Sequence, residues 1–407
     1  MKLVDCDRNC CGCGACADIC PVSAIDMQED SDGFLYPVID YKKCISCGKC
    51  IRSCGYRHIL AESENETCIA QSLSTDLSLS SSGGAAAALE KAFLDGGGII
   101  YGSVMETSEK GLSARHIRVD DPKDLKKLCG SKYVQSSTQG IFPLVQKDLK
   151  AGKRVLFTGT PCQVACLRGF LGKDEPNLYC LDIVCHGVPN ARLFHEYLRI
   201  EGSRRGGTVT DFHFRDKRKG WKLYGSMTVR DKNGRDREYA FSPEASSYYY
   251  FFLKSYTYRE NCYQCPYASA KRQGDITAGD FWCVDLVHPE LMPENGGDLD
   301  MEKGVSALVV NNARGRELLN RYGSGIRLWP SSYEKAAKYN GQLLHPSVPP
   351  ADRGKLWQVI RKDGYGGAER MHRRIYLRIK AVQFVRGCVP PFIRHRIRRM
   401  IHKGKEN

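Results

Sequence analysis

The feature that most constrains this 407-residue chain is a cysteine pattern, C-x2-C-x2-C-x3-C, that occurs twice near its start. The first run is Cys10, Cys13, Cys16 and Cys20, followed by Pro21, and the second is Cys44, Cys47, Cys50 and Cys54, followed by Gly55. Three thiolates at this spacing can wrap one corner of a cubic cluster, and the fourth reaches a neighbouring cluster. The spacing therefore predicts two [4Fe–4S] clusters, one on Cys10, Cys13, Cys16 and Cys54 and one on Cys44, Cys47, Cys50 and Cys20. A structural zinc site, which prefers C-x2-C pairs separated by a longer loop, fits this pattern less well.

Composition supports metal binding by a globular chain. Hydrophobic residues make up 42 % and charged residues 26 % of the sequence, which is ordinary for a globular protein. The sequence contains no run of eighteen apolar residues, so it predicts no transmembrane helix. The start, MKLVDCDRNCC, lacks the pattern of a signal peptide, so we expect a cytoplasmic protein. Twenty cysteines in such a setting favour metal ligation over disulfides.

The order of sequence patterns predicts an α+β protein built from several parts. We expect a small bacterial-type ferredoxin domain, a polar linker, a mixed α/β core and a basic helical tail, at residues 1–60, 61–82, 83–345 and 346–407. Within the core, helix-like and strand-like segments alternate, as in RVLFTG, PCQVACLRGFL and LYCLDIV. The later segments TDFHFRD, YGSMTVRD and REYAFS favour antiparallel strands.

Four further cysteines lie at predicted turns, and they are Cys162 in FTGTPCQ, Cys185 in DIVCHG, and Cys262 and Cys265 in NCYQCP. Together they predict a third cluster site. The C-x2-C pair by itself fits zinc as well as iron–sulfur, and a buried free thiol is the alternative for each one singly. That alternative explains Cys166, Cys180 and Cys283 better, because they lie in apolar segments. Cys6 and Cys11 fall outside both patterns and have no assigned role.

Glycine-rich turns accompany these cysteines. SSSGGAAAALE places Ser82, Gly83 and Gly84 before a helix, where free backbone N–H groups suit a phosphate. An ordinary helix cap is the alternative. GSKYVQSS and the GTP of FTGTPCQ are further polar turns, the second at a strand end of the kind that lines cofactor crevices.

Taken in order, SSSGG, GSKYVQS, FTGTPCQVACL, DIVCHGVPNARLF, FRDKRKGW, CYQCPYASAKRQGDITAGDFW and GVSALVV resemble the coenzyme F420 hydrogenase/dehydrogenase beta-subunit family, in its subgroup with a fused two-cluster ferredoxin. The resemblance implies one FAD and a third [4Fe–4S] cluster held by Cys162, Cys185, Cys262 and Cys265. It also implies that FAD approaches the turns of Ser82, Gly83, Gly84, Ser131, Lys132, Tyr133, Thr158, Gly159 and Thr160. His186 is predicted to hydrogen-bond a cluster or the flavin, with a satisfied turn histidine as the alternative.

These features predict a flavin/iron–sulfur oxidoreductase that moves electrons between a hydride-carrying small molecule, such as an F420-like deazaflavin, and one-electron acceptors. A redox partner protein or ferredoxin is the expected macromolecular partner, and no catalytic side chain is expected. One alternative is a ferredoxin-dependent reductase of an organic substrate, in a setting such as polysaccharide assembly. Another is a non-catalytic redox adaptor or a nucleic-acid-binding iron–sulfur protein.

Basic residues concentrate at the end of the chain. Residues 370–407 hold twelve Lys/Arg and one acid, Glu406, whereas the whole chain carries +15. Ile393, Ile397, Met400 and Ile401 fall on one face of a predicted basic amphipathic helix, which suits peripheral contact with the inner membrane face. A docking helix or a solvated tail is the alternative. Nucleic acid is disfavoured, because the charge is confined to the end and has little aromatic interleaving. The basic loop FRDKRKGWK fits either an acidic substrate or a solvated surface.

Overall fold

The computed structural model describes residues 9–57, 62–74, 77–108 and 111–388. In both cysteine runs a glycine stands between the second and third cysteines, and Gly14 and Gly48 have left-handed φ values of 81° and 69°. A four-residue helix follows each glycine, α1 at Ala15–Asp18 and α2 at Lys49–Arg52. Glycine adopts this backbone without the steric penalty of other residues, so each run makes the same turn into a short helix.

Within the described residues, strands form three sheets. The strands are β1 Ile25–Glu29, β2 Leu35–Ile39, β3 Glu66–Ser72, β4 Ile99–Ser108, β5 Gly111–Val119, β6 Val155–Gly159, β7 Leu178–Ile183, β8 Gly207–His213, β9 Gly225–Asp231, β10 Asp236–Phe241, β11 Ile276–Asp280, β12 Ser306–Val310 and β13 Ile326–Pro330. β1 and β2 form an antiparallel hairpin between the cysteine runs. β8, β9 and β10 form an antiparallel sheet. The other eight strands form the central sheet, in the order β13-β3-β12-β11-β7-β6-β4-β5.

The middle of the central sheet is parallel. β11 pairs with β7, β7 with β6, and β6 with β4, all in parallel. The outer strands β5, β12, β3 and β13 are antiparallel additions. Because parallel strands end at the same edge, the loops after β6, β7 and β11 meet there. A mixed α/β core thus follows the small domain, as the sequence predicts.

Helices cover both faces of the central sheet. After α1 and α2, the helices are α3 Ala85–Asp95, α4 Leu125–Leu128, α5 Ile141–Lys150, α6 Pro161–Leu171, α7 Ala191–Arg204, α8 Ser247–Leu253, α9 Val284–Val287, α10 Ala313–Tyr322, α11 Tyr333–Ala337, α12 Arg353–Asp363 and α13 Tyr365–Cys388. On β4, Ile100 packs in one buried cluster with Phe93 of α3. Its neighbour Tyr101 packs in another cluster with Phe142 of α5. Successive side chains on a strand point to opposite faces, so β4 joins the two layers.

The predicted alternation of strand and helix is confirmed for RVLFTG, PCQVACLRGFL and LYCLDIV, which form β6, α6 and β7. Helix α6 begins with Pro161 and a reciprocal capping box between Thr160 and Gln163. Such a box satisfies backbone N–H groups that a helix start leaves unpaired. The turn that ends β6 is therefore fixed by its own sequence.

The linker expected at residues 61–82 is wrong in part, because Glu66–Ser72 forms β3 of the central sheet. β3 pairs with both β12 and β13, and Ile69 and Ala70 are fully buried. The Ser- and Thr-rich composition of the segment masks a short apolar strand that only the neighbouring strands stabilise.

The expected basic tail is helical as far as the structure describes it, over α12 and α13. Its beginning belongs to the core, since Leu356, Trp357, Tyr365 and Ala368 are buried in the aromatic cluster beside β8–β10. The amphipathic face predicted at residues 393–401 lies outside the described residues. In the described ranges, none of the helices combines the length and apolar character that crossing a bilayer requires.

Arg259 ties the small domain to the core. Its side chain is fully buried, and its guanidinium donates to the carbonyl oxygens of Cys10, at 2.6 Å, and Leu35. It also stacks over the ring of Tyr36, with 4.3 Å from Cζ to the ring centroid. A buried cation satisfied by two carbonyls of the other domain fixes the orientation of the first cysteine run.

Candidate functional site

One cavity of about 400 Å³ lies at the carboxyl edge of the parallel strands. Nine of the ten residues predicted to bind a cofactor line it, namely Ser82, Gly84, Ser131, Lys132, Tyr133, Thr158, Gly159, Thr160 and His186. The structure therefore brings together turns that lie far apart in the sequence. Apolar side chains, among them Leu181, Leu223 and Phe252, complete the wall. A mixture of hydroxyls, glycines and apolar surface suits a nucleotide-like cofactor with a flat ring system.

Gly83 and Gly84 have different reasons to be glycine. A Cβ on Gly83 would lie 2.6 Å from the carbonyl oxygen of Ala70 and 2.8 Å from the backbone nitrogen of Ser306, so Gly83 packs between strands and does not line the cavity. Gly84 has φ of 77° and immediately precedes α3. The first residues of that eleven-residue helix line the cavity, where unpaired N–H groups attract an anion.

Lys132 lines the cavity, but its ammonium group is held by the protein itself. Its Nζ donates to the carbonyl oxygens of Leu128 and Cys129 at 2.7 and 2.8 Å, at the end of α4. Burial lowers the pKa of Lys132 to about 8. The lysine thus orders the turn Gly130–Tyr133 and supplies positive charge beneath it, rather than extending a free ammonium group into the cavity.

A buried polar network underlies the same wall, and the sequence patterns did not reveal it. Glu90 of α3 is 5 % exposed and accepts a hydrogen bond from Thr158 Oγ1 at 2.9 Å. Burial raises the pKa of Glu90 to about 7. His116 of β5 lies 3.1 Å from the Thr158 carbonyl oxygen and 2.9 Å from Ser136 Oγ. Burial lowers its pKa to about 4, so this imidazole is neutral at neutral pH.

The four core cysteines lie near enough to one another for their charges to interact, and two of them line the cavity. Cys162 is the second residue of α6, Cys185 follows β7, and Cys262 and Cys265 lie in and just after a 3₁₀ turn at Glu260–Gln264. Cys162 and Cys185 line the cavity wall. Burial, followed by the charges of Cys162 and Cys265, raises the pKa of Cys185 to about 12. Burial and then the charges of Cys185 and Cys265 also raise the pKa of Cys262.

Burial first, and then the charges of neighbouring thiols, make it costly for several of these thiols to ionise without a positive centre among them. A bound metal or cluster supplies that charge, and thiolates are the ligands that soft metal centres prefer. The donor set therefore fits the predicted third cluster. The site is built on the start of α6, whose dipole also favours a thiolate at Cys162.

Two cysteines without a predicted role fill the space between the small domain and this site. Cys11 and Cys166 are buried, with their sulfur atoms 3.6 Å apart. The sulfur atoms of Cys11, Cys13 and Cys166 all lie within 4.8 Å of one another. The hydrogen bond with Cys11, followed by burial, raises the pKa of Cys162. Cys11 thus contacts one predicted ligand of the first cluster, Cys13, and one of the core site, Cys162.

The charges of cysteines from the two runs act on one another, and the expected exchange of fourth cysteines stays a prediction. Burial, then the charges of Cys10 and Cys54, raises the pKa of Cys16, so the last cysteine of the second run lies with the first run. The pKa of Cys50 is also raised, mainly by burial. Local backbone hydrogen bonds lower it, and the charges of Cys47 and Cys20 raise it. Cys47 is exposed, and Cys44 is partly exposed.

Two of the five cations in the basic loop at residues 214–222, Arg215 and Arg218, form ion pairs within the protein. Arg215 is buried, with its guanidinium 3.0 Å from Asp280. Trp221 donates to the same carboxylate at 2.8 Å and stacks on Trp282, with ring centroids 5.1 Å apart. Arg218 is engaged by two carboxylates, Asp216 and Glu238. Asp280 and Trp282 line the cavity, so this loop packs against two residues of the cavity wall without lining the cavity through Arg215 or Trp221.

Comparison with known proteins agrees with this division. Residues 152–334 match the family model for the carboxyl-terminal part of the beta subunit of coenzyme F420 hydrogenase/dehydrogenase. Residues 9–57 match the model of the 4Fe-4S dicluster domain.

Two curated relatives match over the small domain. One is a component of the Na(+)-translocating ferredoxin:NAD(+) oxidoreductase complex of Acetobacterium woodii, 43 % identical over 49 residues, which are 12 % of this chain and 14 % of that protein. The other is an uncharacterised ferredoxin of Methanocaldococcus jannaschii, 39 % identical over 59 residues, or 14 % of this chain and 32 % of that protein. The chain thus spans less than a third of either relative.

Among solved structures, the F420-reducing [NiFe] hydrogenase complex from Methanosarcina barkeri aligns over 77 % of this chain and 92 % of that chain. The TM-score is 0.38 and the identity 15 %, a likeness too low to support a conclusion.

The chain thus joins an iron–sulfur dicluster domain to a mixed α/β core. The chain carries the C-terminal domain of the coenzyme F420 hydrogenase/dehydrogenase beta-subunit family, fused to an N-terminal 4Fe-4S dicluster domain. The two parts that the sequence motifs predict, the dicluster domain and the C-terminal domain of the beta-subunit family, are therefore confirmed.

Proposed function

We propose that this protein passes electrons between a two-electron carrier at the cavity and one-electron acceptors at the ferredoxin domain. In this proposal the cavity holds FAD, and Cys162, Cys185, Cys262 and Cys265 hold a third [4Fe–4S] cluster. FAD supplies the exchange between paired and single electrons. The carrier is an F420-like deazaflavin or another hydride-carrying molecule of the same kind.

The observation that carries this proposal is the shared wall of the cavity. The turns expected to approach FAD and the thiols of Cys162 and Cys185 line the same space. A cofactor bound there would lie directly beside a cluster on those thiols, and Cys11 leads from that site to the first cysteine run. A cavity of this size also favours an enzyme over an adaptor without a substrate of its own.

The protein's own groups would place and insulate the reaction rather than perform covalent catalysis. The N-terminus of α3 and the turn held by Lys132 would bind the phosphates. Tyr133, which stacks on Phe252 with ring centroids 4.6 Å apart, would wall the ring system and exclude water. His186, whose pKa is lowered by burial, would face the cofactor as a neutral imidazole.

Anaerobic purification followed by cofactor analysis tests the proposal. We expect about one flavin and about twelve irons per chain, whereas about eight irons would remove the third cluster. F420H2, NADH, NADPH and reduced ferredoxin are then added in turn, and flavin bleaching is followed. Absence of flavin from the anaerobically purified protein would refute the enzyme proposed here. Bleaching by reduced ferredoxin alone would favour a ferredoxin-dependent reductase of an organic substrate.

A further inference from the structure

The two cysteine runs are not equivalent in their access to solvent. The first run faces the core, where Cys11 and Cys166 are 9 % and 1 % exposed and their sulfur atoms lie 3.6 Å apart. Cys13 belongs to the same group of sulfur atoms. In the second run, Cys47 is exposed. If the runs hold clusters as proposed, the chain of redox centres has an inner end at the core and an outer end near Cys47.

Electron transfer between proteins requires close approach, because its rate falls steeply with distance. A partner that exchanges electrons with the outer end must therefore contact the surface around Cys47. We define this surface, the outer-cluster face, by its exposed residues Tyr41, Lys42, Lys43, Ile45, Cys47, Lys49 and Arg52. It combines two large exposed apolar side chains, Tyr41 at 68 % and Ile45 at 62 % exposure, with four cations.

The charge of this face is strongly one-sided. Residues 40–54 contain four Lys or Arg and a single acid, Asp40. Asp40 lies 3.6 Å from the Lys43 ammonium, in an exposed pair that offsets little of the positive field. The Arg52 guanidinium donates to the Cys47 carbonyl at 3.2 Å, which keeps that cation against the loop carrying the exposed cysteine. Positive charge is thus concentrated where electrons would cross the surface.

Such a composition distinguishes between kinds of partner. Permanent interfaces between subunits are large and apolar, and their centres are depleted of charge. A face with four cations around a small apolar patch instead favours a transient encounter steered by opposite charge.

We propose that the outer-cluster face is the docking surface for a small acidic one-electron carrier protein, which delivers electrons to or takes them from the second cysteine run. This inference rests on the proposed function, because it assumes that the run holds a redox-active cluster. It adds the surface through which electrons enter or leave the chain and the sign of the partner protein's charge, neither of which the family match provides.

The test uses the full chain, purified anaerobically, with a purified acidic two-cluster ferredoxin as the probe. Stopped-flow absorbance follows electron exchange between reduced ferredoxin and the chain at salt concentrations of about 0.02 M and about 0.3 M. The variant carries Lys42→Glu, Lys43→Glu and Lys49→Glu. The matched control carries three equal charge reversals on the β9–β10 hairpin, at the exposed residues Lys232, Arg235 and Arg237. Iron content and absorbance spectra show that each variant retains its clusters.

We expect the wild-type rate constant at low salt to fall at least about tenfold at high salt. The outer-face variant should lose at least about tenfold at low salt and much of its salt dependence, whereas the hairpin variant should change less than about twofold. Reduction by methyl viologen, a small cation that needs no docking surface, should not slow in either variant.

Three results would overturn the docking proposal. One is a wild-type rate that does not depend on salt, and another is an equal loss in both variants. The third is inhibition of the ferredoxin reaction by duplex DNA or by anionic vesicles that disappears in the outer-face variant, which would assign the face to a different macromolecule. Failure of the proposed function has a separate signature, because viologen-reduced clusters would then fail to pass electrons to a flavin.

Discussion

The domain at residues 9–57 and the core bring their cysteines together in different ways. In the small domain, each run supplies three closely spaced thiols, and a left-handed glycine turns the chain into a short helix between them. In the core, the cysteines come from three distant segments that follow β6, β7 and α8. The first arrangement is encoded by local spacing, whereas the second depends on the tertiary fold, which places the ends of the parallel strands β6 and β7 near the turn that follows α8.

Their surroundings differ as well. The core thiols are partly buried beside a cavity, and their charges act on one another, so several of them ionise together only with a compensating positive centre. The second run of the small domain opens to solvent at Cys47. In the proposed function, this contrast corresponds to substrate chemistry at the core and exchange with other proteins at the small domain.

The sharpest test of the contrast compares one ligand from each arrangement. Cys185→Ser should lose about four irons and slow electron flow from the cavity donor to the ferredoxin domain by roughly 10- to 100-fold. Cys47→Ser should also lose about four irons but leave flavin reduction by that donor intact. Iron analysis and single-turnover absorbance provide the readouts.

Cys68→Ser, on β3, serves as the control and should retain all iron. If Cys185→Ser kept full iron while Cys47→Ser lost it, the core set would be ordinary buried thiols.

The contact between the two regions should be costly to break. Arg259→Ala leaves the carbonyl oxygens of Cys10 and Leu35 without their charged donor, and we expect a loss of about 4 kcal/mol in the free energy of unfolding. Urea unfolding measures this loss, and limited proteolysis should release the small domain earlier than in the wild type. Arg259→Lys, which keeps the charge but can reach fewer acceptors, should lose less. Equal stability of the alanine variant and the wild type would show that Arg259 does not join the domains.

Glu90 provides a pH-dependent comparison between the cavity wall and the rest of the core. Its pKa rises from an ordinary value of 4.5 to about 7 in the folded protein. Between these values the folded chain retains a proton that the unfolded chain releases, so stability falls as the pH rises through this window. Glu90→Gln removes this dependence. The free energy of unfolding of the variant, relative to that of the wild type, should therefore rise by up to about 3 kcal/mol from acidic pH to above pH 7.

Groups around Glu90 also act on its pKa, since the Thr158 hydrogen bond and then the Lys132 charge lower it. His116, with its pKa lowered by burial, makes stability rise with pH between about 4 and its ordinary 6.5, but this contribution cancels in the difference between wild type and variant. Thermal unfolding of both proteins across the pH range provides the measurement. Parallel stability curves would contradict a buried, protonated Glu90.

The smallest expected effect compares two glycines with the same left-handed φ value. Gly84 and Gly97 both have φ of 77°, but a Cβ on Gly84 would lie 2.7 Å from Leu77 Cδ2, whereas Gly97 has no atom within 4 Å of that position. Alanine at either position costs about 1–2 kcal/mol for the left-handed backbone. Gly84→Ala should show an additional loss of stability and a lower flavin content, whereas Gly97→Ala should keep its flavin. Equal flavin contents would exclude Gly84 from the cofactor site.

Local patterns predicted much of the core, because strand and helix signals are carried by neighbouring residues. The segment PCQVACLRGFL contains its own cap and proline, and it forms α6 at the expected position. The sequence does not predict β3, because its seven residues form a strand only between β12 and β13. Gly83 was predicted to line the cofactor site for its position before a helix, but packing against Ala70 and Ser306 explains it.

The sequence by itself determined the two cluster motifs, the family and the turns that line the cavity, because each of these is written in short runs of residues. Only the tertiary structure decided that Cys11 and Cys166 lie together between the domains, and that Glu90 and His116 form a buried polar wall. It also decided which cysteine run faces the core and which faces solvent. These properties depend on contacts between residues far apart in the chain, and spacing within a short segment carries no information about such contacts.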